Sequence, residues 1–147
     1  MDKITIAVDF DGTIVTNAYP SIGKPLLFAF ETLKKLQNEG HILILWTYRE
    51  GTKLAEAVDF CAQNGLTFYA INKSYPEEIM ADNISRKIHA DLFIDDRNIG
   101  GMMGWGEIYH LISNEKSNSP KLNQKRKKIA NKGFFSRIED LFKDENS

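Results

Sequence analysis

Near its start the chain reads ITIAVDFDGT between Ile4 and Thr13, an apolar run followed by two aspartates, a glycine and a threonine. The run over residues 4–8 is too continuously apolar for a strand with one wet face, and buried parallel strands have this pattern. Strand alternation puts Asp9 and Asp11 on one side, and Gly12 lets the chain turn sharply after them. The stretch therefore predicts a buried parallel strand with two carboxylates at its carboxyl end.

Three further apolar runs follow this strand along the chain. They are Ile42–Trp46, Thr67–Ile71 and Asp91–Ile94. Stretches with helical periodicity separate the runs, and a strand alternating with a helix is typical of a doubly wound α/β sheet with right-handed crossovers. We therefore expect a parallel sheet in a three-layer α/β/α arrangement.

Local signals indicate where the helices begin and end. Pro25 occupies the position of a helix N1 proline and Gly40 that of a C-terminal stop, which predicts a helix between the first two strands. Thr52 is suited to cap a second helix that ends at Asn64 and the glycine after it. A third helix is expected over residues 105–114, after the fourth strand.

Length and charge predict one globular domain with a distinct tail. The 147 residues, 42% of them apolar, suffice for one core, which we assign to residues 1–112. Residues 113–133 are expected to form a basic polar linker and residues 134–147 a short amphipathic helix. The first 112 residues carry 10 basic and 15 acidic side chains, whereas the tail carries 9 and 5. Such a tail is suited to an acidic partner, such as an anionic membrane surface or nucleic acid, or to packing on the body or a second subunit.

The single cysteine and the hydropathy pattern predict the compartment. Cys61 has no partner for an intramolecular disulfide, and we expect it to be a small buried apolar residue. The first apolar run is too short for a signal peptide, and no later stretch approaches the roughly 18 apolar residues that span a bilayer. We therefore expect a cytoplasmic protein without a transmembrane segment.

Polar side chains follow three of the predicted strands. Asp9 and Asp11 follow the first strand, Thr47 the second, and Asp95 and Asp96 the fourth. In open α/β sheets the ligand lies beyond the carboxyl ends of the strands, so these side chains are expected to share one site. Four carboxylates in one site cannot all stay ionised without a cation, and oxygen ligands suit a hard divalent ion. The sequence therefore predicts a cation site, with Mg²⁺ as the expected ion.

These motifs resemble those of the haloacid dehalogenase (HAD) superfamily, in which an apolar strand precedes Asp-x-Asp-Gly-Thr. A second family motif, an apolar strand ending in threonine or serine, matches Ile42–Thr47, and the fourth, an apolar strand ending in acidic residues, matches Leu92–Asp96. The third is a lysine shortly before the fourth, and Lys87 fits it better than Lys73. The resemblance covers residues 4 to about 112 and implies a Rossmann-like HAD fold.

The resemblance also implies an activity, the hydrolysis of a phosphate monoester on a small molecule or a macromolecule. Asp9 is then the nucleophile that forms an aspartyl-phosphate, and Asp11 the general acid and base. Thr47 binds a phosphoryl oxygen, and Lys87 balances the charge that develops on Asp9 and phosphate.

Metal ligands and substrate contacts follow from the same resemblance. Asp96, helped by Asp95, joins Asp9 as an acidic ligand of Mg²⁺, and Asp11 offers its backbone carbonyl. Substrate contacts are expected from residues beside the strand ends: Gly12, Thr13, Thr47, Tyr48, Arg49 and Arg97. A solvated or acid-paired state is an equal alternative for Arg49 and Arg97. The run from Asp95 to Arg97 also resembles the phosphatase half of phage polynucleotide kinase, which adds nucleic-acid ends as a substrate class.

The spacing of the motifs leaves no room for a cap domain. Thirty-seven residues separate Asp9 from Thr47, and 39 separate Thr47 from Lys87. An uncapped site either accepts a large substrate or borrows a lid from a neighbouring subunit of a homo-oligomer, and Asn17–Gly23 is the local segment able to lean over it.

Two other functions are open at this point. The first is a signalling phosphoacceptor of the receiver type, and the second is a non-catalytic binding module. A receiver carries its acceptor aspartate at the end of the third strand, where this chain has Ala-Ile-Asn-Lys, and the complete set of polar strand-end residues argues against a decayed site.

Overall fold

The computed structural model describes residues 2–114 of the chain. Over this range it contains four strands and three helices. The strands are β1 (Thr5–Val8), β2 (Ile42–Leu45), β3 (Ala70–Ile71) and β4 (Leu92–Ile94), and the helices are α1 (Ala29–Asn38), α2 (Gly51–Gln63) and α3 (Trp105–Asn114). The predicted helix over residues 134–147 and nearly all of the predicted linker lie outside the described residues. The side chains discussed below belong to the structural unit that ends at Tyr109.

The four strands form one parallel sheet in the order β3-β2-β1-β4. At the carboxyl end of β1, Val8 pairs with Leu45 on one side and with Ile94 on the other. The chain runs outward from β1 to β3 and then returns to the opposite side of β1, so the strand order reverses between β1 and β4. The predicted parallel α/β sheet is confirmed, and its switch point is where such folds bind ligands.

The core consists of the two central strands and the helix residues that cover them. Val8 and Leu45 on one face of these strands, and Ala7 and Ile44 on the other, are at most 1% exposed, which explains why the strands are apolar on both faces. Cys61 on α2 is also fully buried, as expected, and burial raises the pKa of its thiol to about 12. No helix within residues 2–114 is long and apolar enough to cross a membrane.

The first helix begins later than its proline signal predicts. Pro25 precedes α1 by four residues and instead forms a bridge with Val15. Leu26 N donates a hydrogen bond to Ile14 O, so the segments before α1 pair with each other. The chain is extended where it makes that pairing. Phe28, in the left-handed region at φ 65°, then turns the chain into α1.

The second helix, the third strand and the segment between β3 and β4 also differ from the expectation. Thr52 lies within the first turn of α2, and the N-cap residue is Glu50, whose side chain makes no capping bond. The third strand is limited to Ala70–Ile71, so it begins later than predicted. It ends where predicted, before Asn72, which adopts a left-handed conformation at φ 53°. Residues 72–91 contain no helix, although helical periodicity was expected there.

Candidate functional site

The ends of three strands meet at Asp9, the residue that follows β1. Its backbone N–H donates to Ile94 O at 3.0 Å, which extends the pairing of β1 with β4 by one residue. On the other side Trp46 N donates to Val8 O at 2.8 Å. The residues after β2 and β4 are therefore held beside Asp9, as the strand-end argument predicts.

Three carboxylates converge at this point. One oxygen from each of Asp9, Asp95 and Asp96 lies within 4.8 Å of the others. Burial, the largest cause, and the neighbouring carboxylates of Asp95 and Asp96 together raise the pKa of Asp9 to about 7. A divalent cation held by oxygen ligands would relieve this repulsion, so the donor set fits a hard ion such as Mg²⁺.

The Thr13 side chain contacts two of these carboxylates. Its Oγ1 lies 3.2 Å from Asp9 Oδ2 and 3.4 Å from Asp96 Oδ1, and it accepts a hydrogen bond from Asp96 N at 3.1 Å. Trp105 Nε1 donates to Thr13 O at 2.9 Å and fixes the turn. Thr13 has no exposed surface. Thr13 is therefore placed to position these carboxylates, and the expected substrate contact stays a prediction.

Gly12 brings the backbone close to the Asp96 carboxylate of the cluster. Its φ of +80° lies in the left-handed region, and a Cβ on this residue would overlap the Asp96 carboxylate. The glycine predicted to contact the substrate thus makes room for a candidate metal ligand.

Gly12→Ala should abolish metal binding, because the added methyl displaces Asp96. Gly100→Ala is the matched control, since Gly100 has a similar φ of +91° but nothing within 4 Å of the added carbon. Titration of each variant with Mg²⁺ by calorimetry measures the effect. Equal weakening in both variants would assign the loss to backbone strain and contradict the role of the Asp96 contact.

Asp11 points to a different partner from Asp9. Arg49 Nε donates to Asp11 Oδ2 and Arg49 Nη2 to Asp11 Oδ1, both at 2.7 Å, in a bidentate ion pair. The two side chains are 2% exposed or less. Charge-assisted pairs with this fork geometry are the strong ones. The Asp11 carboxylate is therefore held away from the group formed by Asp9, Asp95 and Asp96.

The remaining donors of Arg49 also bind the protein. Nη2 donates to Ser21 O at 2.8 Å, and Nη1 donates to Pro20 O at 3.3 Å and to Lys53 O at 3.4 Å. All five N–H groups thus have acceptors within the fold. Of the alternatives for Arg49, the structure shows the acid-paired state. In this conformation Arg49 has no N–H group left to donate to a substrate.

Thr47 is held at the end of β2 by Asn72, the residue after β3. Thr47 N donates to Asn72 Oδ1 at 2.8 Å, and the left-handed backbone of Asn72 brings its amide to this position. Thr47 Oγ1 accepts from Arg49 N at 3.2 Å. Because the hydroxyl is the acceptor in that bond, it keeps its own proton to donate to a phosphoryl oxygen.

A pocket of about 370 Å³ opens above these residues. It is lined by Asp9, Asp11, Asn17, Trp46, Thr47, Tyr48, Asp95 and Arg97. Three of the predicted substrate contacts, Thr47, Tyr48 and Arg97, therefore border it, and so does Asn17, the start of the segment expected to lean over the site.

Neither candidate lysine borders this pocket. Lys87 is exposed, and its Nζ lies 5.4 Å from the centroid of the Phe93 ring. Lys73 is partly buried and follows Asn72. The assignment of the catalytic lysine stays a prediction.

Sequence reasoning missed three residues that shape the site. Trp46 lines the pocket, Asn72 holds Thr47, and Trp105 holds the turn at Thr13. Asn72 carried a usable signal, since asparagine directly after a strand favours the left-handed conformation. Trp105 carried none, because its bond spans 92 positions of sequence.

Comparisons with known proteins place the chain among relatives. No protein-family model and no curated protein matches it. A solved structure does match, that of a conserved protein coded by a locus from Bacteroides thetaiotaomicron, with 58% sequence identity and a TM-score of 0.74. The match covers 78% of this chain and 93% of that one. The chain therefore belongs to the same protein family as this conserved Bacteroides protein.

Proposed function

We propose that the protein is a magnesium-dependent phosphomonoester hydrolase of HAD type that works through an aspartyl-phosphate on Asp9. The observation that carries the proposal is the position of Asp9. It lies at the strand-order reversal, borders an open pocket, and shares a potential cation site with Asp95 and Asp96. The resemblance of the strand-end motifs to those of HAD phosphatases supports the same function.

The carboxylates of Asp9, Asp95 and Asp96 would hold Mg²⁺. When bound, the ion neutralises their mutual repulsion and the charge of a phosphate group. Bound there, it would also keep Asp9 ionised at neutral pH, since burial and the neighbouring carboxylates raise the pKa of Asp9 to about 7. The Asp11 carboxylate is not among these ligands, because both of its oxygens accept hydrogen bonds from Arg49.

Asp9 performs the first displacement. One carboxylate oxygen attacks phosphorus in line, a phosphorus–oxygen bond forms, and the bond to the departing alcohol breaks as the alcohol oxygen takes a proton from Asp11. Thr47 donates its hydroxyl proton as a hydrogen bond to a phosphoryl oxygen. Water then attacks the same phosphorus, and the bond to Asp9 breaks to release inorganic phosphate.

Asp11 is the general acid and base in this proposal. In the described conformation both of its carboxylate oxygens accept hydrogen bonds from Arg49, and each oxygen keeps a second lone pair that can accept a proton from the attacking water.

A panel of phosphate monoesters tests the function, with release of inorganic phosphate as the measurement. We expect turnover with Mg²⁺, none in excess chelator, and poor turnover with Ca²⁺, because calcium accepts more ligands and a looser geometry. Full activity in excess chelator would overturn the proposal.

Magnesium binding should also depend on pH with a defined sign. Asp9 must lose its proton to bind the ion, so affinity should rise with pH up to about 7 and level off above it. In metal-free protein the raised pKa makes the contribution of Asp9 to stability fall between about pH 4 and pH 7. Calorimetric titration across this range measures the first effect, and an affinity independent of pH would contradict it.

A further inference from the structure

The pocket has an aromatic wall that the proposed chemistry does not use. Trp46 and Tyr48 flank Thr47 in sequence and border the pocket, and Tyr19 packs against Tyr48 with ring centroids 5.0 Å apart. We call Trp46, Tyr48 and Tyr19 the aromatic wall. Tyr48 is 58% exposed and Tyr19 46% exposed, so both rings keep open surface beside the candidate phosphate site.

Buried contacts hold the aromatic wall in place. The Arg49 guanidinium lies 5.1 Å from the Tyr19 ring centroid, and it is itself fixed by the bidentate pair with Asp11. Trp46 packs against the buried cluster of Ala7, Ile44, Ala70 and Ile88. These contacts position Tyr19 and Trp46, and Tyr19 supports Tyr48, so less conformational entropy is lost when a ligand stacks on the wall.

The chemistry of the wall selects one class of ligand. A heavily hydroxylated alcohol is recognised through many hydrogen bonds, whereas exposed aromatic faces favour another flat ring. Asn17 adds an amide that can both donate and accept at a ring edge, and Arg97 adds a cation. A volume of about 370 Å³ lies in the usual range for small-molecule sites.

We propose that the substrate is a phosphate monoester whose alcohol carries a planar heteroaromatic ring, as a nucleotide does, and that this ring stacks on Tyr48. The proposal rests on the proposed function for its phosphate site. The ring can belong to a free nucleotide or to the terminal residue of a single-stranded nucleic acid.

A matched pair of substrates isolates the ring. Adenosine 5′-monophosphate and ribose 5-phosphate share the ribose and the phosphate and differ in the base. With the full chain and Mg²⁺, we expect kcat/KM to be at least about tenfold higher for adenosine 5′-monophosphate, as stacking of one base provides. A 5′-phosphorylated single-stranded oligonucleotide, assayed alongside, distinguishes a nucleic-acid end from a free nucleotide as the source of the ring.

Variants of Tyr48 locate the contact. Tyr48→Ala should lower kcat/KM for adenosine 5′-monophosphate by about tenfold, mainly through KM, and change it by less than about twofold for ribose 5-phosphate. Tyr48→Phe should retain the preference, because it keeps the ring. Tyr69→Ala is the control, since Tyr69 is 48% exposed and does not border the pocket.

A binding measurement separates the two proposals. Stacking on Trp46 or Tyr48 should quench protein fluorescence when adenosine 5′-monophosphate is added to the Asp9→Asn variant with Mg²⁺. Binding that Tyr48→Ala weakens, with no hydrolysis of any ester by the wild type, would overturn the proposed function and support the ring site. Equal kcat/KM for the matched pair, or equal losses for both in Tyr48→Ala, would overturn the ring site and leave the function standing.

Discussion

Asp9→Asn should lower phosphate release by at least about a thousandfold, because the amide has nearly the same shape as the carboxylate but is a poor nucleophile. The measurement is turnover of the best ester in the panel at saturating Mg²⁺. Asp59→Asn is the control, since Asp59 is an exposed carboxylate on α2 outside the pocket. Near-wild-type turnover in a folded Asp9→Asn variant would contradict the mechanism.

The same variant should not lose stability when metal is absent. Above pH 7 the Asp9 carboxylate is ionised, buried and close to Asp95 and Asp96, so it destabilises the metal-free fold. Replacing it by a neutral amide removes that repulsion. We therefore expect a melting temperature in chelator at pH 8 that is equal to or above that of the wild type, which shows that lost activity is not lost folding.

Arg49→Met should cause the largest loss of stability of any single substitution considered. Methionine keeps much of the volume but leaves the buried Asp11 carboxylate without its partner, and breaking a buried ion pair in this way costs about 3–5 kcal/mol. The Pro20 and Ser21 carbonyls also lose a donor. Thermal melting should fall by on the order of 10 °C.

Two further variants identify the cause of that loss. Arg97→Met removes an exposed arginine from the same pocket and should leave the melting temperature nearly unchanged. Arg49→Met combined with Asp11→Asn should recover part of the stability, because no unpaired carboxylate then stays buried. A double variant as unstable as the sum of the two single variants would show that the pair itself is not the source.

The acidic strand ends could be predicted from sequence because their determinants are local. An apolar run that ends in Asp9 specifies both a buried strand and the residue at its carboxyl end, and Asp95 and Asp96 follow β4 in the same way. Parallel pairing then brings these ends together without further information. The helix over residues 105–114 likewise matches its periodic pattern.

The partner of Arg49 could not be predicted, because it depends on how three separate segments pack. The guanidinium binds Asp11 after β1, two carbonyls near Pro20, and one on α2. No spacing in the sequence indicates that these meet. The pairing of Val15 with Pro25 is similar: a proline before an apolar periodic stretch resembles a helix start, but tertiary pairing kept the chain extended.

The position of the lysine depends on the irregular segment between β3 and β4. Sequence distance alone favoured Lys87, whereas the fold directs its Nζ onto the Phe93 ring. A segment without regular structure gives no period from which the direction of a side chain can be read.

Chemical trapping of the phosphorylated residue tests the central claim most directly. Borohydride reduces an acyl phosphate to an alcohol, so aspartyl-phosphate becomes homoserine, which peptide mass spectrometry locates in the chain. Protein quenched during turnover with Mg²⁺ should contain homoserine at position 9, and protein without substrate should contain none. Reduction at any other residue, or continued turnover with no reduced residue, would contradict a covalent intermediate on Asp9.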